Sequence, residues 1–221
     1  MNKSIFILPE SFTTLGWIGL VLVMWGLWRS GDWKKLLDPI RSNLFLGTSV
    51  ALLVLWQIRA GIRPGLEFHL YGVTAATLMF GPWRGMLAGL IALIGSILGG
   101  HGEWNNLGIE GLVFTALPAL VTYRLFKLVE CKLPNHFFIY VLVNGFFVAA
   151  LSMITIGLTA TALMALSGVY KLDYLLEHYT PYYVLLAWSE AFSTGMAVTI
   201  MAVYRPEWLE TFDDNRYIKN K

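Results

Sequence analysis

The sequence predicts an all-α, polytopic membrane helix bundle of about seven transmembrane helices, with the N-terminus outside and the C-terminus in the cytoplasm. Three observations carry this prediction. First, 57% of the 221 residues are hydrophobic and only 14% are charged, against roughly 25% charged in an ordinary soluble domain. Mean hydropathy is +0.61. There is too little charge to cover a water-facing surface of this size, whereas a lipid-facing surface needs none. Second, apolar stretches recur at close to the ~20 residues that a helix needs to cross the hydrocarbon core. Third, Lys and Arg divide unequally between the two sides that those stretches define.

Taken in order, the predicted spans are 12–28, 43–58, 66–80, 83–99, 107–129, 137–166 and 181–204. The first has no small-residue cleavage site, and Trp25, Trp28 and Trp33 crowd its end, so it reads as a retained span and not a signal peptide. The third is short and holds His69. It ends at the turn Phe80-Gly81-Pro82-Trp83, where Gly permits unusual dihedrals and Pro stops the preceding helix. The sixth is long enough to tilt, or to break near Gly157. Residues 1–204 form one transmembrane domain on this reading, and 205–221 form a cytoplasmic tail.

Twelve of the sixteen Lys and Arg residues lie on the side assigned to the cytoplasm. The four on the other side are Lys3, Arg59, Arg63 and Lys171. The positive-inside rule then gives the orientation stated above. Localisation follows as multi-pass in the inner (plasma) membrane, with membrane lipid as the first partner. No basic run is dense enough for nucleic acid. The lone Cys131, expected in a cytoplasmic loop, excludes an intrachain disulfide and CxxC metal sites. The tail spaces Trp208, Phe212 and Tyr217 so that one apolar face is available, and an ordered segment is expected. It serves either as a headgroup-level anchor or as the dock for a cytoplasmic subunit.

The predicted topology gathers residues of the metal-ligating types at the outer face. Glu67 and His69 open the third span, and His101 and Glu103 lie in the loop Gly99-Gly-His-Gly-Glu-Trp-Asn-Asn106. Asp173, Glu177 and His178 lie in the last outer loop. Imidazole suits nickel, cobalt, copper and zinc. From spacing alone, His69 is equally a hydrogen-bonded packing residue and the others solvated loop side chains. Glu110 lies near the outer end of the fifth span. Glu190 falls near the middle of the last, where a charge costs at least ~2.5 kcal/mol. Its two readings are a helix-to-helix hydrogen bond and a part in transport or gating. Gly85 with Gly89, and Ala88, Ala92, Ser96 and Gly100, form a small-residue face for packing within the bundle or against a second subunit. There is no P-loop, so the chain cannot energise transport by ATP alone, and no HExxH or GxSxG motif supports an enzyme.

The stretch from His69-Leu-Tyr-Gly-Val-Thr-Ala-Ala to Leu-Met-Phe-Gly-Pro-Trp83, followed one helix later by Gly100-His-Gly-Glu-Trp-Asn-Asn-Leu-Gly108, resembles the CbiM/NikM group. These are the substrate-capture membrane components of energy-coupling-factor transporters for cobalt and nickel. Glu190-Ala-Phe-Ser-Thr194 looks like the family's late Glu-Gly-x-x-Thr, and the resemblance covers roughly residues 6–204. It implies capture of a divalent transition metal (Ni or Co) as substrate, with a transmembrane coupling subunit and cytoplasmic ATPase subunits as partners. In the family the metal is held by the amine, amide and imidazole of an N-terminal Met-His and by the later histidine. Here Asn2 occupies position 2 and Ile7 stands at the histidine's place in Ile7-Leu-Pro-Glu-Ser-Phe12. Of the family's ligands, His69 alone carries over. His101, the imidazole of the matching Gly-His-Gly loop, stands as the replacement ligand, and the predicted topology adds Glu67 or Glu103 as an oxygen donor and Glu110 as an acceptor orienting an imidazole. The missing chelate also fits a different class of protein, a non-transporting membrane factor that assists metalloprotein or respiratory-complex assembly.

Overall fold

Pro9 and Glu10 open the first helix, placing an acid at its positive end. In the computed structural model, which describes residues 8–31, 33–63 and 66–219, this helix α1 runs Glu10–Ser30. A 3₁₀ turn, Trp33–Leu37, leads to α2, Pro39–Leu55. Asp38 caps α2 by accepting the Ile40 N–H at 3.3 Å, and Pro39 takes a first-turn position where its missing N–H costs nothing. The later helices are α4 (Pro82–Leu98), α5 (Trp104–Lys132), α6 (Phe137–Leu166), α7 (Leu172–His178) and α8 (Thr180–Tyr204).

The third predicted span is the main correction. Its first part is no helix but one arm of an antiparallel hairpin, β1 (Ala60–Arg63) with β2 (Leu66–Phe68), in which Gly61 faces Glu67. Only α3, Val73–Phe80, is helical. Eight residues rise ~12 Å, far short of the ~30 Å hydrocarbon core. Before it come a three-residue strand and the non-helical stretch 69–72, so the third predicted span is a short strand, a loop and a short helix. Apolar sequence alone does not separate a buried strand from a helical segment. Gly72 (φ 65°) and Gly81 (φ 84°) bracket α3 in a region closed to most L-residues.

Among the described residues, three helical runs, α5, α6 and α7 with α8, are long and apolar enough to cross a bilayer by themselves. At 17 residues each, α2 and α4 are shorter. The sixth span does not break near Gly157. That glycine lies flat against Tyr183, where a Cβ would collide with the ring, and α6 instead widens into π-helix at Tyr140–Phe147. A second π segment, Leu112–Ala116, interrupts α5 just before Pro118, with the Leu117 N–H reaching back five residues to Leu112 O. The proline ring and its missing N–H explain the locally altered ladder.

Helices α1 and α5 cross at glycines. A Cβ on Gly16 would lie 2.6 Å from Ile109 N, and one on Gly108 2.5 Å from Trp17 N. The small face of α4 packs inside the bundle, with Gly85 against Thr77 and Gly89 against Thr115 and Val73. Outward faces are apolar. Along α8, Leu185, Trp188, Phe192, Met196 and Ile200 are all exposed at helical spacing, while Tyr183, Ala187, Ala191, Thr194 and Val198 are buried. An apolar outer stripe around a buried inner one is the pattern of a helix in lipid. The chain is a multi-pass membrane protein.

Two ends of the bundle follow. At one, the turn after α2 that leads into the hairpin is tied to the last turns of α4, Gln57 Nε2 donating to Ser96 Oγ at 3.2 Å. At the other, the tail is ordered and folds back on its own helices. The N–H groups of Glu210 and Thr211 donate to Met79 O and Leu78 O, and the Thr211 hydroxyl donates to Leu78 O at 2.7 Å. Phe212 and Tyr217 are buried against Tyr140, whereas Trp208 remains partly exposed. Cys131 is exposed on the last turn of α5, inside the helix and not in a loop.

Candidate functional site

The backbone between β2 and α3 runs non-helically inside the bundle, and unsatisfied polar groups at that depth are costly. Two side chains from distant parts of the sequence satisfy it. Glu190 Oε2 accepts the Tyr71 N–H at 2.9 Å and Oε1 accepts the Gly72 N–H at 2.7 Å, with Thr194 Oγ1 at 3.5 Å. The carboxylate thus sits at the positive end of α3. From α2, the Trp56 indole N–H donates to Tyr71 O at 2.9 Å. Of the two readings of Glu190, the geometry is that of a hydrogen bond between elements, and its object is the segment carrying His69.

His69 is buried, 2% exposed. Its ring lies 4.8 Å from Trp56, 4.3 Å from Tyr71 and 6.3 Å from Phe114, centroid to centroid. Nδ1 is 3.0 Å from Leu70 O. A carbonyl only accepts, so Nδ1 carries the hydrogen and Nε2 presents a lone pair. That Nε2 is buried and has no hydrogen-bond partner among the described residues. A backbone carbonyl fixing one imidazole nitrogen while the other stays bare is the arrangement that orients a histidine ligand.

The other predicted residues lie on several different elements. Glu110 is fully buried on α5, about one turn before Phe114. The Gly-His-Gly loop lies over it, for a Cβ on Gly102 would come 3.9 Å from Glu110 Oε2. His101 is half-buried in that loop, and Glu103 starts the turn leading into α5. Glu67 pairs with Arg59, whose Nη1 lies 3.4 Å from its Oε2. His178 stacks on Tyr174 and pairs loosely with Glu177 at 3.8 Å. His136 caps α6 by accepting the Phe138 N–H at 3.2 Å. Among the described residues, no group of three or more His, Cys, Asp or Glu side chains converges to hold a metal. The positions read as the altered N-terminal chelate, Asn2 and Ile7, lie outside the described residues.

The aromatic surroundings had no signal in the sequence. Phe68 packs against Tyr179, Tyr182 and Tyr183 with centroids 5.1 to 5.4 Å apart, and the Tyr179 and Tyr183 hydroxyls are 3.1 Å apart. Phe68 and Tyr179 are 111 positions apart in the chain, and nothing in local spacing pairs them.

Two solved structures share this architecture. One, described as a truncated transition metal transporter, has a TM-score of 0.78 at 17% identity and covers 92% of this chain and 98% of its own. The other, described as a transition metal transporter, has a TM-score of 0.76 at 17% identity and covers 92% of each chain. At that identity the likeness is one of fold. No curated relative matches the chain. The family model described as the cobalt uptake substrate-specific transmembrane region (CbiM) matches residues 5–208, nearly the whole sequence, and the chain belongs to that family.

Proposed function

We propose that the chain captures a divalent transition metal ion, cobalt or nickel, at the hairpin end of the bundle and passes it on for transport driven by separate ATPase subunits. The observation that carries this reading is the bare Nε2 of His69, buried and aimed by the Leu70 carbonyl that holds Nδ1. A neutral imidazole in this state is a good ligand for nickel or cobalt. His101 and Glu103 supply further donors from the loop over Glu110, and Glu110 orients an imidazole from beneath. Glu190 is a positioning residue that holds the His69 segment in place. Family membership supports metal uptake as the process. The exposed apolar faces of α1 and α8 are consistent with an inner-membrane setting alongside a coupling subunit.

Metal analysis of the detergent-purified protein tests the proposal. Wild type loaded with nickel or cobalt retains bound ion after desalting, whereas His69→Ala and His69→Asn release it. Equal metal content in all three, with the variants folded, removes His69 from the site.

A second reading is favoured by the lack of a three-ligand cluster among the described residues. On it, the chain is a non-transporting membrane factor for metalloprotein or respiratory-complex assembly, and His69 is a packing residue. Co-purification separates the two: ATPase and coupling subunits accompany a transport component, and a metalloprotein client accompanies an assembly factor.

A further inference from the structure

The opposite end of the bundle holds a cavity of about 440 Å³ that plays no part in the metal reading. Four cationic side chains line it, Lys35, Arg84, Lys127 and Arg216, and the charges around it are not matched one to one. Glu210 accepts from Lys35 at 2.9 Å, from Arg41 at 2.7 Å and from Arg84 at 2.6 and 2.7 Å. Glu130 serves Lys127, at 2.9 Å, and also Arg216. The third carboxylate, Asp213, directs Oδ1 to the Asn215 N–H at 2.9 Å and caps the last turn of the tail. Each remaining carboxylate is therefore shared by two or three cations, and the wall keeps a positive excess. An ammonium has three N–H donors and a guanidinium five, so Lys127 and Arg216 retain donors beyond those aimed at Glu130.

The position of the cavity selects the class of anion. Gly31, at the end of α1, forms part of its rim, and the exposed face of α1 leading to that point carries Leu15, Ile18, Leu22 and Trp25. Trp83 and Tyr123 also line it, and such rings favour the headgroup level. A ligand here can place its charge among the cations and its hydrocarbon along α1. Basic pockets between transmembrane helices recognise acidic headgroups in this way.

We infer that this cavity binds the phosphate-bearing headgroup of an anionic phospholipid, held by Lys127 and Arg216, with its acyl chains along α1. The lipid bridges α5 to the C-terminal tail and so fastens the tail to the bundle.

The test uses the full-length protein in neutral detergent, titrated separately with short-chain phosphatidylglycerol, short-chain phosphatidylcholine and inorganic phosphate. Native mass spectrometry and thermal unfolding are the readouts. Phosphatidylglycerol is expected to remain as a bound adduct and to raise the melting temperature, while phosphatidylcholine does neither. Each cation removed is expected to weaken binding roughly fivefold, so K127Q/R216Q loses roughly 25-fold. The single variant R216Q, with its exposed side chain, gives the same test through its roughly fivefold loss if the double variant does not fold. Equal retention of both lipids, or unchanged phosphatidylglycerol affinity in the variants, overturns the site. Stabilisation by inorganic phosphate equal to that by phosphatidylglycerol overturns the lipid assignment in favour of a soluble phosphate ligand.

Discussion

Glu190 and Gly72 are 118 positions apart in the chain, yet the Glu190 carboxylate accepts the Gly72 N–H at 2.7 Å and thereby anchors α3 at its start. Tyr71 contributes a second N–H to the same carboxylate. The pair explains how a strand, a loop and an eight-residue helix hold together where an uninterrupted transmembrane helix was predicted. Replacing Glu190 by Leu orphans both donors, each at ~1–3 kcal/mol. Thermal unfolding in detergent is expected to show a loss of about 2–6 kcal/mol for E190L and a smaller one for E190Q, which keeps one acceptor oxygen. A variant E190L as stable as wild type removes the anchoring role.

The α1–α5 crossing depends on backbone proximity that a single methyl group disrupts. Gly16→Ala places a Cβ against the Ile109 backbone, which has no rotamer by which to yield, and overpacking of this kind costs ~1–3 kcal/mol. Gly47→Ala, on α2 with nothing within 4 Å, is expected to stabilise by ~0.5–1 kcal/mol, as Ala does in a helix interior. Melting temperatures that move in the same direction for the two substitutions contradict the crossing.

Glu210 makes the docking of the tail sensitive to pH. Burial pushes its carboxyl up, but hydrogen bonds and charge from Arg84 and Lys35 outweigh that and hold it below the ordinary value of 4.5. A carboxyl depressed in the folded state contributes stability that is present above the ordinary value and is lost as pH falls through the folded one. Protection of the Glu210 and Thr211 amides from hydrogen exchange is therefore expected to hold at neutral pH and to be lost in acid, below the ordinary carboxyl range. In E210A the nearly buried Arg84 loses its bidentate partner, at ~3–5 kcal/mol. Protection independent of pH in wild type shows that other contacts hold the tail.

Orientation is tested from the tail. The predicted twelve-to-four division of Lys and Arg places residue 221 in the cytoplasm. A reporter fused there is expected to be active only in its cytoplasmic form. Activity in the periplasmic form reverses the assignment of both the His69 end and the Glu210 end.

The sequence by itself determined the class of this protein, most of its helical segments and the identity of several residues that matter. Those features are local or additive: hydropathy sums over a window, Lys and Arg count by side, and a carboxylate in mid-span demands a partner wherever it occurs. The need for a partner made Glu190 conspicuous, but its partner proved to be backbone, and backbone N–H groups look alike at every position. The hairpin before α3 was hidden for a related reason. Its strands, Ala60–Arg63 and Leu66–Phe68, are four and three residues long, too short for the alternation of Leu66, Glu67 and Phe68 to register as a period. The tertiary structure alone decided that Trp56, Tyr71 and Phe114 enclose His69, and that Glu210 gathers Lys35, Arg41 and Arg84. Such contacts join elements up to 175 positions apart. They are fixed by how the helices pack, and local spacing in the sequence carries no record of that packing.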